Sequence, residues 1–520
     1  MTARASSTRR ATGVVMAGIL ASRVLGLARE QVVALHFGRS PELSAFWAAF
    51  KIPNLVRVLL GEGNLSASFI PVLSVQIAAG DPLAGRRTAG VLLGFLLLGV
   101  GLFTGAGILL AQPLAVIAAP GFDPALRDLV ARLIRILFPL SGMLVLGAWC
   151  MGVLHAHGRF FWPNFAPALL SAVSALSLVL LLHRWGRAPI ELLAWGTVAG
   201  GAVQLLVQVP GSLAAAGSPR PSLDLSDPGF RRVLALFAPM LLGTGVAQIN
   251  GLVETQIASF LDPEAVATLQ YAVRLYTLPL SLFGTSVAMA ALPALSRDAG
   301  RDAAAVGDGV GEAWLRALFF LVPSTVALVA FGEPLVRLVF ERGAFTGVDT
   351  DAVTRVLALY STGLIAFASV RIFAGAFYAL EDSRTPVRLS VLALGLNTLL
   401  SIVLARRMGT PGIALASSLA AAMSALLTLR ALLRRTGSGW LRAALPRLGR
   451  LAVGGAAGLG AAWLAAAVLP EPGGNGPGDM AHRALTAAFP YAALGAAYLL
   501  VCGVPGVRRP GRRPSGRGGG

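Results

Sequence analysis

Among the eleven basic residues that fall within apolar stretches of the sequence, five are candidates for a ligand site. Arg23 and Arg29 lie in the first apolar stretch, Lys51 and Arg57 share the second, and Arg274 lies in a later one. A charge at the centre of a membrane helix costs roughly 2.5–3.5 kcal/mol on insertion scales. Side chains of this type are therefore expected to face a wet cavity or a partner of opposite charge.

The arginines favour an anionic ligand. A guanidinium group presents a planar fork of donors that binds two phosphate oxygens at once. The nearby acids, Glu30, Glu42 and Glu62, are too few to neutralise all of the basic residues. The sequence therefore predicts a cationic cavity that binds phosphate groups.

Each arginine taken alone also has a structural alternative. Arg23 or Arg57 can extend its charged end to the cytoplasmic interface while its stem stays in lipid. Arg29 can form a local ion pair with Glu30. Only the convergence of several arginines distinguishes a ligand site from these alternatives.

Helix-breaking residues accompany the charges. Gly26 lies between the first two arginines, Pro53 lies between Lys51 and Arg57, and two glycines flank Glu62. Breaks in spanning helices are tolerated where they line a cavity or form a hinge. We therefore expect Gly26, Lys51, Pro53 and Glu62 to support or gate the cavity, the alternative being the ordinary enrichment of Gly and Pro in membrane helices.

A second group of polar residues suggests a cation site. Glu254 follows Asn250 in an apolar stretch, and later stretches contain Asn397, Ser401 and Ser417. An acid within the membrane is a candidate for proton or cation coupling. The alternative is that Glu254 lies near the outer interface and is solvated there.

Composition shows what must position these residues. Of the 520 residues, 56% are hydrophobic and 13% are charged, whereas soluble domains carry about 25% charged residues. Lipid must therefore solvate most of the chain. The net charge of +19 does not indicate a nucleic-acid partner, because the basic residues lie mainly in short loops between apolar runs.

Fourteen runs are long and apolar enough to be membrane helices, which predicts an all-α polytopic protein. A signal peptide is not expected, because the first run contains two arginines and lacks a cleavage site. The runs are approximately 12–37, 43–76, 88–118, 128–156, 163–184, 189–214, 231–260, 264–296, 312–340, 350–381, 386–405, 411–433, 446–469 and 482–505.

Loop charges predict the orientation. With the N-terminus placed in the cytoplasm, cytoplasmic loops collect 24 basic residues and outer loops collect eight. Because cytoplasmic loops carry an excess of Lys and Arg, both termini are expected in the cytoplasm.

An internal repeat predicts two lobes. Pro41-Glu42 recurs as Pro263-Glu264, and residues 69–74 recur as 291–296, at an offset of about 222 residues. A duplicated six-helix unit would give two bundles related by a pseudo-twofold axis along the membrane normal, with a site between them. The expected organisation is an N-lobe at 1–214, a cytoplasmic linker at 215–230, a C-lobe at 231–435, helices 13 and 14 at 436–507, and a basic disordered tail at 508–520.

The chain resembles the MurJ/MviN family of lipid II flippases, within the multidrug/oligosaccharidyl-lipid/polysaccharide exporter superfamily. The resemblance is most specific in the first eighty residues and covers most of the fourteen runs. It rests on residues 22–30 (SRVLGLARE), 45–57 (AFWAAFKIPNLVR), 62–66 (EGNLS) and 69–73 (FIPVL), and on later pieces at 118–122 (AAPGF), 165–167 (FAP), 271–275 (YAVRL), 343–346 (GAFT) and 385–387 (TPV).

The resemblance implies a monomeric transporter of the bacterial inner membrane. Its substrate would be lipid II, an undecaprenyl-diphosphate-linked disaccharide-pentapeptide used in peptidoglycan synthesis. The cavity arginines of the family fall on Arg23, Arg29, Arg57 and Arg274. Helices 13 and 14 would form a lipid-tail groove, and further partners would be membrane lipids and the cell-wall synthesis machinery.

The resemblance also implies a sodium site in some members, which makes Glu254, Asn397 and Ser417 candidates for cation coupling. Three positions depart from the pattern of many members: Ser44 and Val273 stand where those carry Asp, and Ser401 stands where some sodium-binding members carry an acid. These departures weaken the sodium expectation and leave the anion site intact.

Alternative functions use the same fold class. A drug or cation antiporter of the superfamily would favour acids and aromatic residues in its cavity, and other polyprenyl-linked polysaccharides are alternative cargo. A non-transporting membrane scaffold is a third possibility. The sequence has no HExxH or Walker motif, so no enzyme activity and no cofactor are expected, and energy would come from ion gradients or the membrane potential.

Overall fold

A computed structural model describes residues 2–61, 63–185, 189–468 and 477–503, and these residues form helices joined by short loops. The all-α prediction is confirmed. The helices are α1 (Thr2–Phe37), α2 (Pro41–Leu60), α3 (Asn64–Ala78), α4 (Pro82–Leu109), α5 (Ala111–Ala118), α6 (Pro124–Ala156), α7 (Phe161–Trp185), α8 (Ile190–Leu206), α9 (Val209–Ala215), α10 (Pro228–Ser259), α11 (Ala265–Pro279), a π-helical turn (Leu280–Thr285), α12 (Ser286–Ala299), α13 (Ala303–Ala330), α14 (Gly332–Phe340), α15 (Gly347–Thr362), α16 (Leu364–Ala379), α17 (Arg384–Met408), α18 (Thr410–Thr436), α19 (Gly439–Val468) and α20 (Pro477–Cys502).

Several helices begin with the same local signal. A Ser or Asp side chain at the N-cap accepts a hydrogen bond from the backbone N–H three residues later, and a proline follows it in the first turn. This arrangement caps α2, α4, α6 and α10, at Ser40, Asp81, Asp123 and Asp227.

Eleven helical segments among the described residues are long and apolar enough to cross a membrane, and Ala488–Cys502 is a shorter apolar helix. Each of the fourteen predicted runs is helical over most of its described length. The prediction of a polytopic membrane protein is therefore confirmed, whereas the count of fourteen spans is not.

The predicted helix breaks occur at some positions only. α1 continues through Gly26, and α2 continues through Pro53. The second run is interrupted between α2 and α3, where Gly63 has a positive φ of 82°, and the π-helical turn follows Pro279. Glu62, predicted to support or gate the cavity, lies outside the described residues.

The helix bounds repeat along the chain at the predicted offset. α4 and α5 recur as α13 and α14, and α7 recurs as α17. The interruption between α2 and α3 recurs as the π-helical turn between α11 and α12. The repeat is therefore a duplication of elements as well as of sequence.

The described residues fall into two compact units. Unit 1 lies within Met1–Arg274, Val339–Val356 and Val387–Ala420. Part of its core joins α3, α4, α6 and α10, where Phe69 and Trp149 are buried and Phe95 stacks on Phe230 with ring centroids 4.7 Å apart. All predicted site residues that the structure describes belong to this unit.

Unit 2 lies within Leu275–Leu338, Leu357–Pro386 and Ala421–Gly520. Its core packs α12, α13 and α16 around Phe373, Phe377 and Trp440. α19 and α20 pack on each other, and the buried Leu451 and Tyr498 contact α13. This unit supplies none of the predicted ligand-binding side chains.

Candidate functional site

One face of α2 carries most of the polar groups of the site. Trp47, Lys51, Asn54 and Arg57 follow one another at intervals of three or four residues. Side chains at this spacing lie on the same face of a helix. The continuity of α2 through Pro53 keeps the four residues in register.

The α2 face lines a cavity of about 330 Å³. Arg29 of α1 and Arg274 of α11 join Lys51 and Arg57 in its lining, and Gln270 lies one turn before Arg274 on the same helix. Leucines of α6 and α7 form the apolar part of the wall. Three of the four predicted phosphate-binding arginines therefore converge on one cavity.

Glu30 forms ion pairs with two of these arginines. Its Oε1 lies 2.5 Å from an Arg29 guanidinium nitrogen and 3.5 Å from Nε of Arg274. Only 6% of the Glu30 side chain is exposed, whereas Arg274 is 41% exposed. The ion pair predicted as the alternative for Arg29 is therefore present, but a single carboxylate serves two guanidinium groups.

Two further contacts orient the arginines without neutralising them. The guanidinium carbon of Arg274 lies 5.0 Å from the centroid of the Trp47 ring, a cation–π geometry. Arg57 donates from Nε and from a terminal nitrogen to Asn54 Oδ1, at 3.0 and 2.7 Å. Because indole and amide groups carry no net charge, both guanidinium groups keep their positive charge.

The charge balance of the cavity is positive. Among the described residues, four basic side chains and no acid line it, and Glu30 contacts two of the arginines. Glu254 attracts Lys51 electrostatically from outside the lining. The described residues of the lining therefore carry a positive charge. The arrangement can attract a multivalent anion and grip its oxygens.

Arg23 is not one of the residues that line the cavity. Its side chain is exposed, whereas Arg29 is half-buried. Six residues separate the two arginines, which places them about 120° apart around the helix axis. Gly26 faces α7, where a Cβ would lie 4.0 Å from Ser171 Oγ. Pro53 is buried within α2.

The residues predicted to take part in cation coupling also lie close together in unit 1. Ser417 donates to Glu254 Oε1 at 2.6 Å, and the Asn397 amide donates to the same oxygen at 3.2 Å. Asn250, one turn before Glu254, donates to it at 3.0 Å. Ser401 and Ser417 each donate to Asn397 Oδ1 at 3.3 Å.

This group has the chemistry of a small cation site. One carboxylate, two side-chain amides and two hydroxyls supply oxygen donors, which hard cations prefer. The donors come from three helices, α10, α17 and α18, and they already contact one another. Ser401 contributes a neutral oxygen to this donor set.

Sequence reasoning missed several residues of the arginine cavity. The spacing of Trp47, Asn54 and Arg57 was visible as one helical face, but an aromatic or amide residue on such a face more often belongs to a packed core. Gln270 was only weakly indicated by the sequence, as a polar residue one turn before Arg274. The shared role of Glu30 had no sequence signal, because it depends on a helix that begins more than 200 residues later.

Comparison with known proteins identifies the family. The model of the family described as "Lipid II flippase MurJ" matches residues 33–474. The chain is 34% identical over 445 residues to "Lipid II flippase MurJ" of Burkholderia cenocepacia, covering 83% of this chain and 86% of that protein. It is 33% identical over 432 residues to "Probable lipid II flippase MurJ" of Vibrio cholerae, covering 81% and 82%.

Solved structures share the fold. "Lipid II flippase MurJ, inward closed conformation" superposes with a TM-score of 0.75 at 23% identity, covering 94% of this chain and 98% of that one. An inward-facing multidrug resistance MATE family transporter of the MOP superfamily gives a TM-score of 0.68 at 14% identity, covering 80% and 95%. The extent of the family match and the identity to the curated relatives show that this chain belongs to the MurJ family.

Proposed function

We propose that this protein flips lipid II from the cytoplasmic to the outer leaflet of the bacterial inner membrane. The observation that carries the proposal is the convergence of Arg29, Arg57 and Arg274 on one cavity, where Glu30 pairs with the first and the third. The family supports the substrate, because its curated members are named as lipid II flippases. The protein would act as a transporter and not as an enzyme, and its product would serve peptidoglycan synthesis.

The proposed binding mode follows from the charges. The diphosphate of lipid II would leave the Arg274–Trp47 and Arg57–Asn54 contacts in place, because these contacts orient the arginines without neutralising them. Its oxygens would accept from the guanidinium groups of Arg29, Arg57 and Arg274. Arg23, which is exposed on α1, would act before or after this step as an accessory contact.

The proposed orientation places both termini in the cytoplasm. The loop-charge excess supports it, since Lys and Arg concentrate on the cytoplasmic side. An inside-negative potential then favours outward movement of an anion. Two negative charges crossing 100 mV gain roughly 4.6 kcal/mol. We propose that the protein functions as a monomer. It would receive lipid II from the membrane and deliver it to the cell-wall synthesis machinery, and it would have no nucleic-acid partner.

The lipid tail would remain outside the cationic cavity. α19 and α20 expose large apolar side chains, among them Trp463, Leu464 and Leu500. These helices lie outside the duplicated elements and pack beside α13. We propose that they carry the groove for the polyprenyl tail.

A monovalent cation is the proposed coupling ion. The oxygen donors of Glu254, Asn397 and Ser417 would hold it, with Asn250 and Ser401 completing the group. The MATE transporters that share the fold suggest a drug or cation antiporter as the competing function. The positive excess in the cavity opposes cationic cargo and favours the flippase.

Ligand-induced stabilisation of the purified protein tests the proposal. Lipid II should raise the melting temperature, undecaprenyl phosphate should raise it less because it has one phosphate fewer, and a cationic dye should leave it unchanged. Arg274→Gln should remove the response. Arg316→Gln is the matched control, because Arg316 is exposed and pairs with Glu312 of the same helix, at 2.8 Å. Stabilisation by the dye and not by lipid II would support the antiporter instead.

A further inference from the structure

Lys51 lies between the two polar sites. Its side chain lines the arginine cavity. Its ammonium nitrogen also lies against α10 at Gly251, where a Cβ placed on the glycine would be 3.5 Å away. The missing side chain at Gly251 therefore makes room for the ammonium group beside α10.

The position of Lys51 subjects it to opposing forces. Gly251 and Glu254 are three residues apart and share one face of α10. Glu254 attracts the ammonium group, whereas Arg274 repels it. With Glu254 bearing its negative charge, the attraction draws the ammonium group of Lys51, at the edge of the cavity, toward Glu254 and away from an anion in the cavity.

We propose that Lys51 couples the two sites, so that a cation bound by Glu254, Asn397 and Ser417 strengthens the binding of a diphosphate in the arginine cavity. The inference rests on the proposed function, because it requires that the cavity binds a diphosphate and that the Glu254 group binds a cation. The inference adds Lys51 as the physical link between the two sites, and it states that the bound cation strengthens diphosphate binding.

Electrostatics explains why the cation should strengthen anion binding. A cation beside Glu254 cancels the attraction of that carboxylate for Lys51 and adds a repulsion of its own. The flexible lysine side chain then turns toward the cavity and brings a fourth positive charge to the anion. By linkage, the anion must tighten cation binding by the same factor.

Equilibrium binding to the purified protein in detergent tests the coupling. The probe is undecaprenyl diphosphate, and its dissociation constant is measured in sodium chloride and in choline chloride at equal ionic strength. Sodium should tighten binding by about fivefold or more in the unaltered protein, the lower end of common coupling factors. In Lys51→Gln the factor should fall to within about twofold of unity, even though overall affinity also falls.

A second pair of variants leaves the lysine in place. Gly251→Ala puts a Cβ at ordinary contact distance from the ammonium group and should keep the coupling. Gly251→Leu fills the space that the ammonium group occupies and should reduce the sodium effect without changing any charge. Melting temperatures of both variants identify a loss of folding.

The outcomes separate this inference from the function on which it rests. If the unaltered protein binds the diphosphate through its arginines but sodium changes nothing, or if Lys51→Gln keeps the full sodium effect, the inference is wrong and the flippase proposal stands. If the protein does not bind the diphosphate in either salt, both are wrong. Binding of radioactive sodium with and without the probe checks that the effect is reciprocal.

Discussion

At the scale of single residues, the central feature is an imbalance between guanidinium groups and acids. Glu30 fixes Arg29 and Arg274 but supplies one negative charge to both. Trp47 and Asn54 position Arg274 and Arg57 without neutralising them. Within the part of the chain that the structure describes, four basic side chains and no acid line the cavity. A lining of this kind favours a ligand that is itself anionic.

Replacing Arg274 by lysine separates charge from geometry. The planar guanidinium group faces both the Glu30 carboxylate and the Trp47 ring, whereas an ammonium group lacks the planar fork for bidentate phosphate binding. We expect Arg274→Lys to weaken binding of undecaprenyl diphosphate by about tenfold, equivalent to 1.4 kcal/mol. Isothermal titration of the purified variant measures the change.

Arg316→Lys provides the control for this substitution, because Arg316 is exposed and pairs with Glu312 of the same helix. It should bind the diphosphate like the unaltered protein. Unchanged affinity in Arg274→Lys would mean that Arg274 contributes only its charge, and the geometric part of the account would then be wrong.

The types of the site residues were visible in the sequence, but their arrangement was not. Arginines in apolar runs predicted an anion site, and three of the four converge. The helical period explains why Arg23 does not join them, since six residues turn it away from the face that carries Arg29. The sequence alone could not show that Glu30 would serve Arg274 as well as its neighbour.

At the scale of helices, backbone hydrogen bonding determines which glycines and prolines interrupt a helix. A backbone group in lipid must find a partner within its own helix, so an isolated Gly26 is accommodated in a continuous α1. Two glycines around position 62 interrupt the helix, and Gly63 adopts a positive φ that favours glycine. Glycine and proline positions therefore predicted candidate breaks without predicting which of them form.

The N-cap of α10 offers a test of stability at this scale. Asp227 is 3% exposed, and its carboxylate accepts from the backbone N–H of Phe230 at 2.7 Å and from Thr88 Oγ1 at 3.0 Å. We expect Asp227→Ala to destabilise the protein by about 1–2 kcal/mol, because it removes the cap and leaves Thr88 without its acceptor. Thermal unfolding in detergent measures the loss.

Asp81→Ala is the matched control. Asp81 caps α4 in the same way, with Ala84 as its donor at 2.9 Å, but it is exposed. Water can replace its hydrogen bond, so the loss should be smaller than for Asp227→Ala. Equal losses would show that burial and the Thr88 contact add nothing to the cap.

At the scale of the whole molecule, properties that repeat along the chain were predictable and contacts across it were not. Composition and run length predicted an all-helical membrane protein, and the offset of about 222 residues predicted the duplicated elements. The hydrogen-bonded group around Glu254 joins this residue to Asn397 and Ser417, 143 and 163 positions away. No periodic pattern encodes such pairings, because they depend on how distant helices pack.

Lipid II flipping in reconstituted vesicles tests the central claim most directly. Arg29→Gln, Arg57→Gln and Arg274→Gln should each insert normally and lower the flipping rate by about tenfold or more, the effect of losing one charge-assisted contact of roughly 1.5–3 kcal/mol, while Arg316→Gln should flip at the unaltered rate. If all three cavity variants flipped lipid II as fast as the unaltered protein, the arginine cavity would not be the path of the diphosphate.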